Sequence, residues 1–133
     1  MRILVVDDDD ACRFMLRDAL ASIVPREHIA FASDGDEAWW ILTDPDRAFD
    51  LLILDLAMPR VNGLELLARL RQHPKISALP IILCTGTSTR QSVTEAVRLN
   101  VMSYVVKPFS PSAIVQKVEE IINQIKNGRT ALA

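Results

Sequence analysis

Short, uninterrupted apolar runs alternate along the chain with longer stretches in which apolar residues recur every three or four positions. Ile3–Val6, Ile29–Ala32, Leu51–Leu54, Pro80–Cys84 and Met102–Val106 belong to the first kind and read as strands. Helices are expected over about Asp10–Ile23, from Asp36 through Leu42, over Gly63–Gln72, over about Arg90–Leu99 and over Pro111–Ile125. In the last of these, Ile114, Val118, Ile121 and Ile125 fall on one face, flanked by Val115 and Ile122. Strands that are apolar throughout, rather than alternating, should be buried on both faces. The pattern therefore predicts an α/β fold: a five-stranded parallel sheet with helices on both sides.

Local chemistry agrees with these boundaries. Asp10 is placed to cap the first helix, and Asn62 with Glu65 forms a capping-box-like start to the third. Asn100 stands where a helix ends and suits the left-handed conformation. No internal repeat or second core is legible, so residues 1–126 read as one domain and 127–133 as a flexible tail or linker stub.

Composition narrows the classes of function. With 133 residues, half of them hydrophobic and 24% charged, the chain suits one ordinary globular domain. A formal net charge of −2, with scattered basic residues, argues against direct nucleic-acid binding. No apolar run approaches a membrane span, and the N-terminus lacks a signal peptide's apolar region, so a cytoplasmic location is expected. The two cysteines, Cys12 and Cys84, read as reduced core residues.

In an open parallel sheet, ligands bind beyond the carboxyl ends of the strands. The first strand ends in Asp7-Asp8-Asp9-Asp10, the third in Asp55, the fourth in Thr85-Gly86 and the fifth in Lys107-Pro108. Taken singly, each has an ordinary explanation: a solvated helix cap, a turn residue, a loop pair and a strand-to-helix turn. Their conjunction at matching strand ends points to chemistry. Asp7, Asp8 and Asp55 would repel one another, and Mg²⁺, which prefers oxygen ligands, resolves that repulsion. Mg²⁺ and Lys107 together would neutralise the three carboxylates before a phosphoryl group arrives. An aspartate is a competent nucleophile for phosphoryl transfer, which needs mainly positioning and electrostatic stabilisation.

These motifs give the chain a specific resemblance over residues 2 to about 125. Ile3-Leu4-Val5-Val6-Asp7-Asp8, Asp34-Gly35-Asp36-Glu37-Ala38 and Leu54-Asp55-Leu56-Ala57-Met58-Pro59 with Asn62-Gly63 occur in the order of the family. Ile82-Leu83-Cys84-Thr85-Gly86 and Tyr104-Val105-Val106-Lys107-Pro108-Phe109 follow. The sequence resembles the receiver domain of bacterial two-component response regulators, most closely the stand-alone chemotaxis type. That resemblance implies the flavodoxin-like strand order 2-1-3-4-5. It makes Asp55 the phosphoacceptor and Lys107 a partner of the phosphoryl group. Mg²⁺ would be held by Asp8 directly, by Asp7 largely through water, by Asp55, and by the backbone carbonyl of Ala57. Thr85 would bind a phosphoryl oxygen and swing inward, drawing Tyr104 towards a buried rotamer. The surface of the fourth helix, fifth strand and fifth helix would report the change. A histidine kinase or phosphotransfer protein would supply the phosphoryl group, and a downstream protein target would read the result.

Three departures qualify the resemblance. Ala57 is smaller than the residue many relatives carry there, which bears on water access to the acyl phosphate. Gly86 replaces a usual Ala or Ser and loosens that loop. Met102-Ser103 lacks acids that pair across some dimers, so a monomer or weak dimer is expected. Two other readings compete. A Mg²⁺-dependent phosphohydrolase would need a second acid two residues after its nucleophile, where Ala57 stands. A phosphorylation-independent binding module would have no need of the complete set Asp7, Asp8, Asp55, Thr85 and Lys107. Trp39 and Trp40, adjacent in the second helix, project about 100° apart. One of them should be buried and the other partly exposed, or one forms a partner contact. Val115 and Ile122 either widen the core face of the last helix or mark a self-association surface.

Overall fold

The computed structural model describes residues 1–56, 63–86, 94, 97–101 and 103–132. Five strands, β1 (Ile3–Val6), β2 (Ile29–Ala32), β3 (Leu51–Asp55), β4 (Ile81–Thr85) and β5 (Ser103–Val106), form one sheet in the order β2-β1-β3-β4-β5. Every pairing is parallel, with Ile3 opposite both Ile29 and Leu51, Asp55 opposite Cys84, and Thr85 opposite Val106. The sheet is thus the flavodoxin-like one expected.

Four helices are delineated among the described residues: α1 (Asp10–Leu20), α2 (Gly35–Thr43), α3 (Gly63–Gln72) and a C-terminal helix (Pro111–Leu132). The additional helix expected over 90–99 falls largely outside the described residues, although Thr94, Val97 and Arg98 are helical. The helices make two cores. Leu66, Leu67 and Leu70 of α3 and Ala38 and Leu42 of α2 pack on Leu4, Leu52, Leu54 and Leu83. Leu16 and Leu20 of α1 and Ile114, Val118 and Ile121 of the C-terminal helix pack on Ile3, Val5, Ile53 and Ile82. β1 and β3 are buried along their whole length, as apolar strands covered on both sides must be. β5 departs from that rule: it is an edge strand, and its alternating pattern leaves Tyr104 and Val106 exposed.

Several boundaries differ from the sequence reading. Asp9, not Asp10, caps α1, its carboxylate accepting from the Ala11 and Cys12 amides at 2.9 and 3.5 Å. Asp10 is the first helical residue and pairs with Arg13. α1 stops at Leu20, where the Ser22 hydroxyl donates to the Ala19 carbonyl at 2.7 Å and a turn leads towards Pro25. β4 begins one residue after Pro80, which has no amide hydrogen to enter a ladder. The C-terminal helix runs on through Gly128 to Leu132, beyond the expected end at Ile125, and no glycine among the described residues takes the positive φ of a helix-ending cap. Asn100 does take that conformation, with φ 61°. Asn62, the other expected cap, lies outside the described residues.

The aromatic pair of α2 divides as its geometry requires. Trp39 packs against the core, with the Arg69 guanidinium 4.3 Å above its ring and His73 edge-on at 5.6 Å. Trp40 is 74% exposed. Val115 and Ile122 pack beside the core, so they widen the buried face of their helix.

Candidate functional site

The parallel register delivers the acids. β1 and β3 pair in step from Ile3 with Leu51 to Val6 with Leu54, so the next residues, Asp7 and Asp55, emerge side by side at the same end. Asp7 extends the ladder by one more bond, its amide donating to the Ala32 carbonyl at 3.1 Å. Both carboxylates are nearly buried, at 1% and 5% exposure, whereas Asp8 faces solvent. One oxygen from each of Asp7, Asp8 and Asp55 lies within 4.8 Å of the other two.

Lys107 enters from the end of β5. Its ammonium donates to Asp7 Oδ2 at 2.7 Å and to Asp55 Oδ2 at 3.2 Å. Burial alone would push this ammonium down. The hydrogen bond to Asp7 and the charges of Asp7 and Asp55 more than reverse that, and Lys107 stays well above the ordinary lysine range. The peptide between Lys107 and Pro108 is cis, as the Lys-Pro-Phe sequence allows.

Asp7 is held at every polar atom. Oδ1 accepts from the Asp9 amide at 2.9 Å, and its carbonyl accepts from Arg13 Nη1 at 2.5 Å. The Cys12 thiol is pushed up to about 12, first by burial and then by its hydrogen bond to Asp7 and that residue's charge. The roles of Cys12 and Arg13 beside Asp7 were not legible in the sequence. The only signal was their place on the first turn of the helix that follows the acids. Cys84 is buried on β4, where desolvation pushes its thiol up as well. Both cysteines are free thiols.

The structure thus brings together Asp7, Asp8, Asp55 and Lys107 among the residues singled out in the sequence. Thr85 closes β4 at the same end of the sheet, one strand from Asp55. Tyr104 stands apart on β5, 46% exposed, beside a surface groove of about 520 Å³ lined also by Val97, Val101, Val106 and Lys117. Ala57 lies outside the described residues.

Chemically, three carboxylates converge on a space that one ammonium partly neutralises. An all-oxygen donor set fits a hard divalent cation of the Mg²⁺ type, and softer metals would want nitrogen or sulfur. Asp55 Oδ2 lies beside a cation that can stabilise added negative charge, which suits a phosphoryl acceptor. No helix among the described residues is long and apolar enough to cross a membrane.

Comparisons with known proteins agree with this geometry. The model of the response regulator receiver domain family matches residues 3–119. A chemotaxis protein CheY homolog of Campylobacter jejuni is 34% identical over 122 residues, covering 92% of each chain. Among solved structures, the phosphorylated cyanobacterial phytochrome response regulator RcpA superposes with a TM-score of 0.79 at 26% identity, over 90% of this chain and 89% of that one. The Mn²⁺-bound form of response regulator Rcp1 does so with a TM-score of 0.75 at 25% identity, over 90% and 89%.

Proposed function

The chain belongs to the response regulator receiver domain family, and from that premise we propose that Asp55 is its phosphoryl acceptor. It is a signalling domain of the chemotaxis-regulator kind, and what remains to be assigned is which atoms do the work. The observation that carries the assignment is the pair of bonds from Lys107 to Asp7 and Asp55 at the carboxyl end of the sheet.

In this reading an Asp55 carboxylate oxygen attacks the phosphorus of a phosphohistidine on a histidine kinase or phosphotransfer protein. The new P–O bond forms as the P–N bond breaks, and the released electron pair returns to the imidazole nitrogen. Asp55 then carries an acyl phosphate, and attack by water on phosphorus later releases inorganic phosphate and restores the carboxylate. Asp7, Asp8 and Asp55, with the Ala57 carbonyl, would hold Mg²⁺. When bound, it would supply charge neutralisation for the transferring group. Lys107, whose ammonium stays protonated throughout the physiological range, pairs with a phosphoryl oxygen while keeping Asp7 in place. The Asp9 amide holds Asp7 Oδ1 and Arg13 holds the Asp7 carbonyl, which leaves the carboxylate little freedom to turn away. Thr85 and Tyr104 act as the switch pair, and a downstream protein reads the surface around Tyr104, Val97 and Val106. The protein works in the cytoplasm as a monomer or weak dimer. It is not an enzyme acting on a separate substrate, although it assists its own phosphorylation and dephosphorylation.

The test is intact mass after incubation with Mg²⁺ and a small phosphodonor such as acetyl phosphate. A single phosphoryl adduct is expected, dependent on Mg²⁺ and missing from Asp55→Asn. An unlabelled wild-type protein beside a labelled control receiver would instead favour a binding module that works without phosphorylation.

A further inference from the structure

At the opposite end of the sheet from Asp55, one guanidinium gathers main-chain oxygens from two distant segments. Arg71, in the last turn of α3, is half-buried. Its Nε donates to the Leu99 carbonyl at 2.7 Å and its Nη2 to the Asn100 carbonyl at 3.0 Å. Its Nη1 donates to the Ser77 and Leu79 carbonyls at 3.0 and 2.7 Å. Ser77 and Leu79 lead into β4, and Leu99 and Asn100 lead into β5. Arg71 therefore ties the amino-terminal approaches of the two strands whose carboxyl ends carry Thr85 and Lys107. A planar fork with five N–H donors suits this task, and an ammonium does not.

The other end of α3 is tied as firmly to the acid site. The Gly63 amide donates to the Leu56 carbonyl at 2.9 Å, one residue from Asp55. The approach is so close that a Cβ on Gly63 would lie 2.5 Å from Leu56 Cα and 2.6 Å from the Asp55 carbonyl oxygen. The helix between is buried along Leu66, Leu67 and Leu70. It is a short rigid strut of about 15 Å, with Asp55 at one end and Arg71 at the other.

We propose that Arg71 is the fixed pivot of the switch: it holds Leu99 and Asn100 still while the carboxyl ends of β4 and β5 respond to phosphorylation. A change at Thr85 is then forced outward along β5 to Tyr104 and Val106, instead of being absorbed by a shift of the whole β5 approach. Asn100 suits a pivot, because its left-handed backbone turns the chain sharply between the helical residues Val97 and Arg98 and strand β5. Arg71 also braces one side of the groove lined by Val97, Val101, Tyr104 and Val106, because it holds the carbonyls of Leu99 and Asn100, which lie in the chain between Val97 and Val101. It is a positioning residue and touches no reacting atom. The inference rests on Asp55 being the acceptor.

The experiment compares amide NMR spectra with and without Mg²⁺ and beryllofluoride, a tetrahedral stand-in for the phosphoryl group, in wild type, Arg71→Met and Arg71→Lys. In wild type, Tyr104 and Val106 should shift at least threefold further than Leu99, Asn100 and Val101. In Arg71→Met the two groups should shift comparably, and Arg71→Lys should fall between. Unchanged β1 and β3 signals show that a variant is folded, and Arg71→Lys serves if Arg71→Met is not. Equal shifts of the two groups in wild type, or the wild-type pattern in both variants, would overturn the pivot alone. No response near Asp55 in wild type would overturn the acceptor assignment, and the pivot with it.

Discussion

Lys107 and Arg71 are both half-buried cations at the ends of the same sheet, and they are held in opposite ways. Lys107, at the carboxyl end, is gripped by two carboxylates that would otherwise repel each other. Arg71, at the amino end, is gripped by four neutral carbonyls. Burial lowers the proton affinity of Arg71, with no acid among the described residues reversing the effect, whereas the Asp7 and Asp55 charges raise that of Lys107. The lesson is that the Lys107 end can be satisfied by another cation and the Arg71 end cannot. One end is built for exchange and the other for permanence.

The sharpest way to break this contrast is through stability with and without Mg²⁺. Arg71→Met should lose about 3 kcal/mol in urea titration, because four carbonyls, two of them in part-buried bonds, lose a charged donor, and saturating Mg²⁺ should return none of the difference. Wild-type protein in Mg²⁺ at a hundredfold excess over its Kd should gain about 2.7 kcal/mol. Asp8→Ala, an exposed change, should leave the metal-free protein within about 0.5 kcal/mol of wild type yet remove most of that gain. Lys107→Met should cost about 2 kcal/mol without metal, and most of it should return with Mg²⁺, which then takes over the neutralisation of Asp7 and Asp55. If Mg²⁺ rescues both variants equally, or neither, the contrast between the two ends is wrong.

A smaller effect separates the ends by pH. Folding raises the proton affinity of Cys12, Cys84 and Lys107, so each contributes fully below its unfolded pKa and loses its contribution as pH rises above that value. For the thiols the loss begins near pH 8.5 and for Lys107 near 10.4. The melting temperature should fall between pH 8.5 and 10, and Cys84→Ala, whatever its stability at neutral pH, should make that fall shallower. An equally steep fall in the variant would assign the alkaline loss elsewhere. Smallest of all, Trp40→Ala should shift stability by less than about 0.5 kcal/mol, because its ring lies in solvent.

The sequence announced one end of the sheet far better than the other. Runs such as Ile3–Val6 and Leu51–Leu54 carry no polar face, because both sides are covered, and this alone implied parallel pairing and convergent strand ends. Acids and a lysine at those ends are visible as side chains. Arg71 was not legible, because its partners are carbonyls, which every residue has, and their convergence depends on loop paths that no pattern encodes. The cap of α1 was misplaced for a related reason. Four consecutive aspartates offer equivalent carboxylates, and only the backbone turn at Asp9 selects among them. The exposed face of β5 was hidden because Tyr104 and Val106 are apolar residues on an edge strand, where an apolar run does not imply burial on both sides.

The strand order has a consequence for a chain still being synthesised. β1 is made first, yet it lies between β2 and β3, and its second neighbour is not translated until Leu51–Asp55 appears. Until then the nascent chain offers a bare apolar strand with one open edge, the kind of surface to which chaperones and stray strands adhere. Asp7 meets Asp55 only when that edge closes. The acidic cluster is therefore absent from every earlier intermediate, and it forms only once the chain through Asp55 has been made and β3 has docked beside β1.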